Sequence, residues 1–336
     1  MGGTAPELSV VIPCFNEAAN LVPLMARLVP VLEGLGHSFE ILLVDDGSRD
    51  RTLEVASGLA AADPRIGILS LSRNFGKEIA ITAGIDHARG KAAILIDADL
   101  QHPPEKIIEL VAAWNDGFQI IHATQTVRPS EGLAKRAGAN LFYKLLAQLS
   151  DIDLPRGAGD FCLLDRAALD ALKSMPERAR FMKGLYFWVG FRQKQIPYEP
   201  AERLAGASGW CYRRLASLAL NGLTAFSTVP LRLASIAGLL VSIIAIIYGL
   251  VLMTDVLLHG IDVPGYASLM VGLLFLSGVQ LISLGILGEY VGRIFNETKQ
   301  RPLYFVGSYR PATPNGPDVL AASGHATPAA TSATST

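Results

Sequence analysis

Cysteine is scarce in this chain, and the little there is makes no pattern. Cys14, Cys162 and Cys211 are the three cysteines in 336 residues. Their spacing fits neither a zinc site nor a disulfide framework, which points to a reducing compartment. Charge is also thin: charged residues make up 18% of the chain and the net charge is −1, so nothing global points to nucleic acid. The first residues, MGGTAPELSV, lack a basic region followed by an apolar run, so no cleavable signal peptide is expected, and the Ser or Thr of a myristoylation signal is missing. The first strand–helix junction reads PCFNEAAN, without G-x-G-x-x-G, and no G-x-x-x-x-G-K-[ST] occurs. Rossmann dinucleotide binding and P-loop chemistry are therefore unsupported.

Apolar residues, by contrast, make up 50% of the chain, with a mean hydropathy of +0.35. That is too apolar for an ordinary soluble enzyme and too charged for a pure membrane bundle, so a soluble domain joined to a membrane segment is expected. In the N-terminal part, buried-strand patterns at Leu8–Pro13, Phe39–Val44, Ile66–Leu71, Ala92–Ile96 and Gln119–Thr124 alternate with helical ones at Ala18–Glu33, Arg51–Ala62, Glu78–Ala88 and Glu105–Trp114. The alternation predicts an α/β domain with a mainly parallel sheet covered on both faces. Right-handed crossovers bring the strand C-termini to one edge.

The residues expected at that edge form a set: Pro13, Asn16 and Glu17; Asp45 and Asp46; Arg73, Asn74 and Lys77; Asp97 and Asp99. Carboxylates after the first two strands can accept hydrogen bonds from a base and a ribose, and Arg73 and Lys77 can meet phosphate charge. Asp97 and Asp99, at i and i+2, lie on one side of an extended chain facing the ligand crevice. Hard oxygen ligands there suit a divalent cation holding a diphosphate. Taken singly, each cluster also fits a plainer reading: Asp45-Asp46-Gly47-Ser48 as a turn with a helix cap, Arg73 and Lys77 as a solvated loop, and Asp97-Ala98-Asp99 as an acidic turn.

The segments VVIPCFNE, LLVDDGSRD, LSRNFGKEIA and IDADLQHPP resemble those of the family 2 glycosyltransferases of the GT-A fold, and within them the polyprenyl-phosphate glycosyltransferases. The resemblance runs from about Leu8 to Tyr309. It implies that VVIPCFNE and DDGS bind the nucleotide of a UDP-sugar, and that Asp97, Asp99 and Gln101 match a D-A-D-x-Q pattern binding Mg2+ or Mn2+. In the family the G-D-F segment supplies the carboxylate beside the reacting centre, which makes Asp160 the catalytic candidate with Asp99. From the residues alone, Asp160 also fits a helix cap after the flexible Gly157 and Gly159. Family members usually carry a basic residue after the serine matched by Ser208, where Gly209 stands here, and an Arg near Gln125. Arg128 and Arg203, with Arg180 and Lys183 of PERARFMKG, are the candidates for the acceptor phosphate.

Glu131–Ser150 has an apolar helical face, expected to pack on the sheet or touch a membrane surface. Leu233–Met253 and Tyr266–Gly288 are uncharged runs of spanning length. Basic residues flank the outer ends of the pair and are missing from the loop between, Thr254–Gly265. The positive-inside rule then puts both termini and the enzyme in the cytoplasm. The expected organisation is a catalytic domain over 1–211, an interfacial helix over 212–231, two spans within 232–292, a cytoplasmic segment over 293–310 and a disordered tail over 311–336. The resemblance further implies a bacterial inner-membrane enzyme, a homo-oligomer of the tetrameric kind, that moves a sugar with inversion from a UDP-sugar to undecaprenyl phosphate. Glucose is favoured by RFMKGLYFWVGF and DVPGYASLMVG. N-acetylglucosamine, galactose-type sugars, aminoarabinose and mannose are the other donors weighed. A processive polysaccharide synthase is disfavoured by the missing Q-x-x-R-W, and a non-enzymatic flippase or scaffold by the complete set of donor-site residues.

Overall fold

The protein is described here by a computed structural model covering residues 5–125, 158–175, 177–178, 180–199, 229–259 and 265–313. Its strands are β1 (Leu8–Cys14), β2 (Phe39–Asp45), β3 (Ile66–Leu71), β4 (Ala92–Leu95), β5 (Ile120–Gln125), β6 (Ala158–Asp165), β7 (Gln193–Tyr198) and β8 (Val306–Arg310). Its helices are α1 (Ala18–Gly34), α2 (Thr52–Ala62), α3 (Lys77–His87), α4 (Ile107–Asn115), α5 (Arg166–Ser174), α6 (Met182–Trp188), α7 (Val229–His259) and α8 (Tyr266–Thr298). One sheet contains all eight strands, in the order β7-β5-β6-β4-β1-β2-β3-β8.

The central strands β4, β1, β2 and β3 are parallel, and β5 pairs parallel with β7. Strands β6 and β8 run antiparallel to their neighbours. The sheet is mostly parallel and mixed, as the strand–helix alternation predicts for its first half. Both faces are covered, which is why β1 to β4 read as unbroken apolar runs rather than alternating ones. Helix α3 lies close on β1 because Gly84 faces it: a Cβ there would stand 2.2 Å from Val11 Cγ1.

Several expectations change here. Asp160 lies inside strand β6 and caps no helix; the capping is done by Asp165, whose side chain accepts the Ala167 N–H. The AGDFCLLD stretch is a strand because Phe161 to Leu164 are wholly buried between the two helical layers, which outweighs its glycine. The helix expected from Glu105 starts at Ile107, after a 3-10 turn over Pro104–Lys106. The catalytic domain does not end near 211, because β8 returns to its sheet beside β3. Pro311 to Thr313, expected as tail, are bonded to the domain: Arg89 donates to the Ala312 carbonyl, and the Thr313 N–H to the Pro64 carbonyl at 2.7 Å.

Helices α7 and α8, of 31 and 33 residues, pack side by side and expose large apolar side chains along their length. Each is long and apolar enough to cross a bilayer, with the qualifying stretches at Ala234–Val251 and Phe275–Thr298. The expected helix over 131–150, nearly all of the interfacial helix over 212–231 and the tail beyond 313 lie outside the described residues.

Candidate active site

Four parallel strands end at one edge, and the loops after them interlock. Asp46 holds two of these loops together. Its N–H donates to the Cys14 carbonyl, and its carboxylate accepts the Phe75 and Gly76 amides at 2.7 and 2.9 Å. Burial raises the Asp46 carboxyl above its ordinary range, and those two amides pull it partly back. Asp45, also buried, accepts Ser48 N–H and Ser70 Oγ–H. Between them and the next loop, Gly47 takes φ +67°, and a Cβ would stand 2.5 Å from the Arg73 carbonyl carbon. Only glycine fits, because the turn is left-handed and presses on backbone.

The β1–α1 loop joins the same assembly. Asn16, at φ 58°, donates its N–H to Ser48 Oγ and accepts the Arg49 N–H on its side-chain oxygen. Glu17 donates its N–H to Thr52 Oγ1, and its carboxylate accepts from the Asn20 amide at 2.5 Å. Arg73 is exposed, with its guanidinium 4.1 Å from the Phe75 ring centre. Pro13 stands in β1 opposite Val44. The predicted nucleotide-side residues thus share one edge, with Asp46 acting on the loops themselves.

Asp97 and Asp160 meet because β4 and β6 are antiparallel. Leu95 pairs with Cys162, and two further steps set Asp97 against Asp160. The Lys77 ammonium, from the start of α3, bridges them at 2.6 Å to each. Lys183 Nζ stands 4.0 Å from the other Asp160 oxygen, which is buried and accepts no hydrogen bond among the described residues. Burial would raise the Asp160 pKa, but Lys77 and Lys183 hold it well below the usual carboxylate range. Burial likewise opposes the charge on Lys77, and Asp97 and Asp160 more than offset it, keeping the ammonium protonated far above neutral pH. At physiological pH Asp160 and Lys77 are therefore both charged.

Asp99 is 9% exposed and accepts the Gln101 N–H at 3.1 Å, in a turn where Leu100 has φ 61°. The sharp turn brings Asp97, Asp99 and Gln101 onto one loop with oxygen donors only. Sequence reasoning passed over His102, beside them. Its ring stacks on Phe161, and its Nδ1 accepts the Asp97 N–H at 3.3 Å. Burial lowers its pKa, so it serves as a neutral prop for Asp97. Glu78 was missed too; burial pushes its carboxyl up to about 7. An acid beside Lys77, at the head of a helix with an apolar middle, was its signal. Of the expected acceptor-side cations, Lys183 faces Asp160. Arg180 is turned away to cap α5, donating to the carbonyls of Leu172 and Met175. Arg128 and Arg203 lie outside the described residues.

The arrangement can hold a nucleoside along the interlocked loops, place anionic oxygens beside Asp97 and Asp99, and present a fixed carboxylate, Asp160, to whatever stands next to them. Comparison with known proteins agrees with that chemistry. Residues 9–173 match the glycosyl transferase family 2 domain, and residues 229–294 match the GtrB C-terminal hairpin, which is α7 and most of α8. An uncharacterized glycosyltransferase of Synechocystis sp. is 48% identical over 300 residues, 89% of this chain and 94% of the relative. A prophage bactoprenol glucosyl transferase homolog of Escherichia coli and a bactoprenol glucosyl transferase of Shigella phage SfV are each 43% identical over 301 residues, covering 89% of this chain and 98% of theirs. Likeness of this degree, carried from the first strand through the helical hairpin, makes the chain a member of the family 2 glycosyltransferases and an enzyme that transfers a sugar.

Proposed function

We propose that the enzyme transfers glucose from UDP-glucose to undecaprenyl phosphate, with inversion, at the cytoplasmic face of a bacterial inner membrane. The observation that carries this reading is the Asp97–Lys77–Asp160 cluster, set between a nucleotide-side edge and Lys183 in a chain with two helices of spanning length. The bactoprenol glucosyl transferases among its relatives support the choice of sugar and acceptor.

Asp97, Asp99 and Gln101 are the residues that would hold a divalent cation. They fit one: all are hard oxygen donors on a single turn, although no group of three acids, histidines or cysteines gathers among the described residues. Mg2+ and Mn2+ suit a site with one or two carboxylates and diphosphate oxygens for the rest. Bound there, such a cation would neutralise charge on the departing diphosphate.

The chain's own groups account for the remainder. A lipid phosphate arrives already anionic, so it needs orientation more than deprotonation. Lys183 offers it a cation, and Asp160, held ionised and so too weak a base to take a proton from it, fixes the angle of approach. One in-line displacement at the anomeric carbon turns an α-linked donor into a β-linked lipid product. The basic residues that flank the hairpin in the sequence and are missing from its loop support a cytoplasmic placement of both outer helix ends. Mass spectrometry of undecaprenyl phosphate incubated with the enzyme, a divalent metal and a panel of UDP-sugars tests the proposal. A gain of one hexose with UDP-glucose alone is expected. A gain with a different sugar would replace glucose, polymer growth would point to a processive synthase, and no gain with any donor would end the acceptor assignment.

A further inference from the structure

Lys183 depends on a short connection for its place. Between α5, ending at Ser174, and α6, starting at Met182, the chain reads MPERARF, and Lys183 follows at once. Two carboxylates from distant parts of the chain hold this connection by its backbone. Glu297, next to the last residue of α8, accepts the Arg178 N–H with both oxygens, at 3.0 and 3.2 Å. Glu78, in the first turn of α3, accepts the Met182 N–H at 3.0 Å. Glu78 is also the neighbour of Lys77, which bridges Asp97 and Asp160.

The location of Glu297 is informative because its own helix disfavours it. The last turn of a helix carries unpaired carbonyls and partial negative charge, so an acid there is unfavourable. No basic residue occupies that turn of α8 to compensate. Glu177 is close as well: its carboxyl is raised by burial first, and the charge of Glu297 adds to that rise. Helix end and Glu177 thus both disfavour the acid while Arg180 attracts it, and among its contacts is the backbone of the connection. Beyond Glu297 the chain is fixed to the domain again, through the Tyr304 hydroxyl on Asp86 at 2.9 Å and through β8. The end of α8 is thus held in place relative to α3 and α5.

We infer that Glu297 and Glu78 are positioning residues that set the connection between α5 and α6, so that attachment of the helical hairpin fixes Lys183 at the acceptor side of the site. This rests on the reading that Lys183 serves the acceptor phosphate. It makes the hairpin part of the active-site framework as well as an anchor.

The test uses the full chain in lipid nanodiscs, with Glu297→Ala and the milder Glu297→Gln, which keeps one acceptor oxygen. Hydrogen exchange reports the contact independently of catalysis: the amides of residues 177–183 should exchange roughly tenfold faster in Glu297→Ala, while those of β1 to β4 stay unchanged. In kinetics, KM for undecaprenyl phosphate should rise about fivefold with KM for UDP-glucose held, and Glu297→Gln should recover part of the loss. Faster exchange without any change in acceptor KM would overturn the positioning role, as would equal rises in both KM values. Unchanged exchange would overturn the contact itself. If the wild type glucosylates no lipid phosphate, the proposed function fails, and the exchange result still decides whether Glu297 holds the connection.

Discussion

At the N-terminal ends of the strands, Glu40 accepts from Ser9 Oγ and from the Arg89 backbone and guanidinium, while Gly90 donates to the same Ser9 oxygen. Arg65 pairs with Asp63 and Glu33 nearby, and His37 with Glu7. A cavity of about 370 Å³ opens there, and the charged groups lining it are paired within the fold. At the C-terminal ends the balance is different. Asp97 and Asp160 share Lys77, and one buried oxygen of Asp160 has only Lys183 at 4.0 Å. One end of the sheet closes its charges against each other and is structural. The other concentrates acids around a shared lysine and leaves capacity for a ligand's charge. A prominent cavity and a reactive site are therefore different things in this molecule.

Four substitutions would sharpen or break this contrast. Asp160→Asn, at the reactive end, should cut sugar transfer by at least about 100-fold while UDP binding and melting temperature hold. Collapse of UDP affinity, measured by calorimetry, would move Asp160 into the nucleotide site. Lys77→Met should lower turnover by about tenfold, and it should shift the acid limb of the pH–rate profile upward, because Asp160 loses its nearest cation. An unmoved acid limb would deny Lys77 that role. Glu40→Ala, at the structural end, should destabilise the fold by about 2 kcal/mol in denaturant titration with kcat/KM preserved. Lost activity at full stability would erase the contrast.

The last effect is confined to acid pH and belongs to His122, buried within β5, stacked on Phe187 and hydrogen-bonded to Gln193. Burial lowers its pKa to about 4. Below its ordinary value the unfolded chain takes a proton that the folded one refuses. Stability is thus complete above about pH 6.5 and falls by up to about 3 kcal/mol as pH drops toward 4. Thermal melts of His122→Gln should lose that part of the slope between these pH values.

The parallel core was legible in the sequence because strands buried on both faces leave continuous apolar runs, and the expected bounds of β1 to β4 lie within one or two residues of those found. Asp45, Asp46, Lys77, Asp97 and Asp99 were legible because they follow those runs, whereas Asp160 and Lys183 were singled out through the family resemblance. Less readable were elements whose character comes from their neighbours. Strand β6 carries a glycine at its second position and reads as a loop until β4 and β5 flank it. Strand β8, VGSYR, is exposed along its whole length, so no burial pattern marks it. Arg180 shows a limit of another kind: a sequence displays a charge, while only the fold shows that α5's carbonyls claim it.

The return of β8 has a consequence for how the molecule is made. Its contacts join residues more than 200 positions apart, with both long apolar helices lying between them. During synthesis the edge of β3 stays uncovered until the hairpin has been completed and the chain comes back to the same side. An open strand edge is a template for unwanted pairing, so a chain whose helices insert wrongly leaves its catalytic domain unfinished and vulnerable. On the proposed two-span reading, insertion of the hairpin and the covering of β3 thus become linked steps, with the last strand completing both.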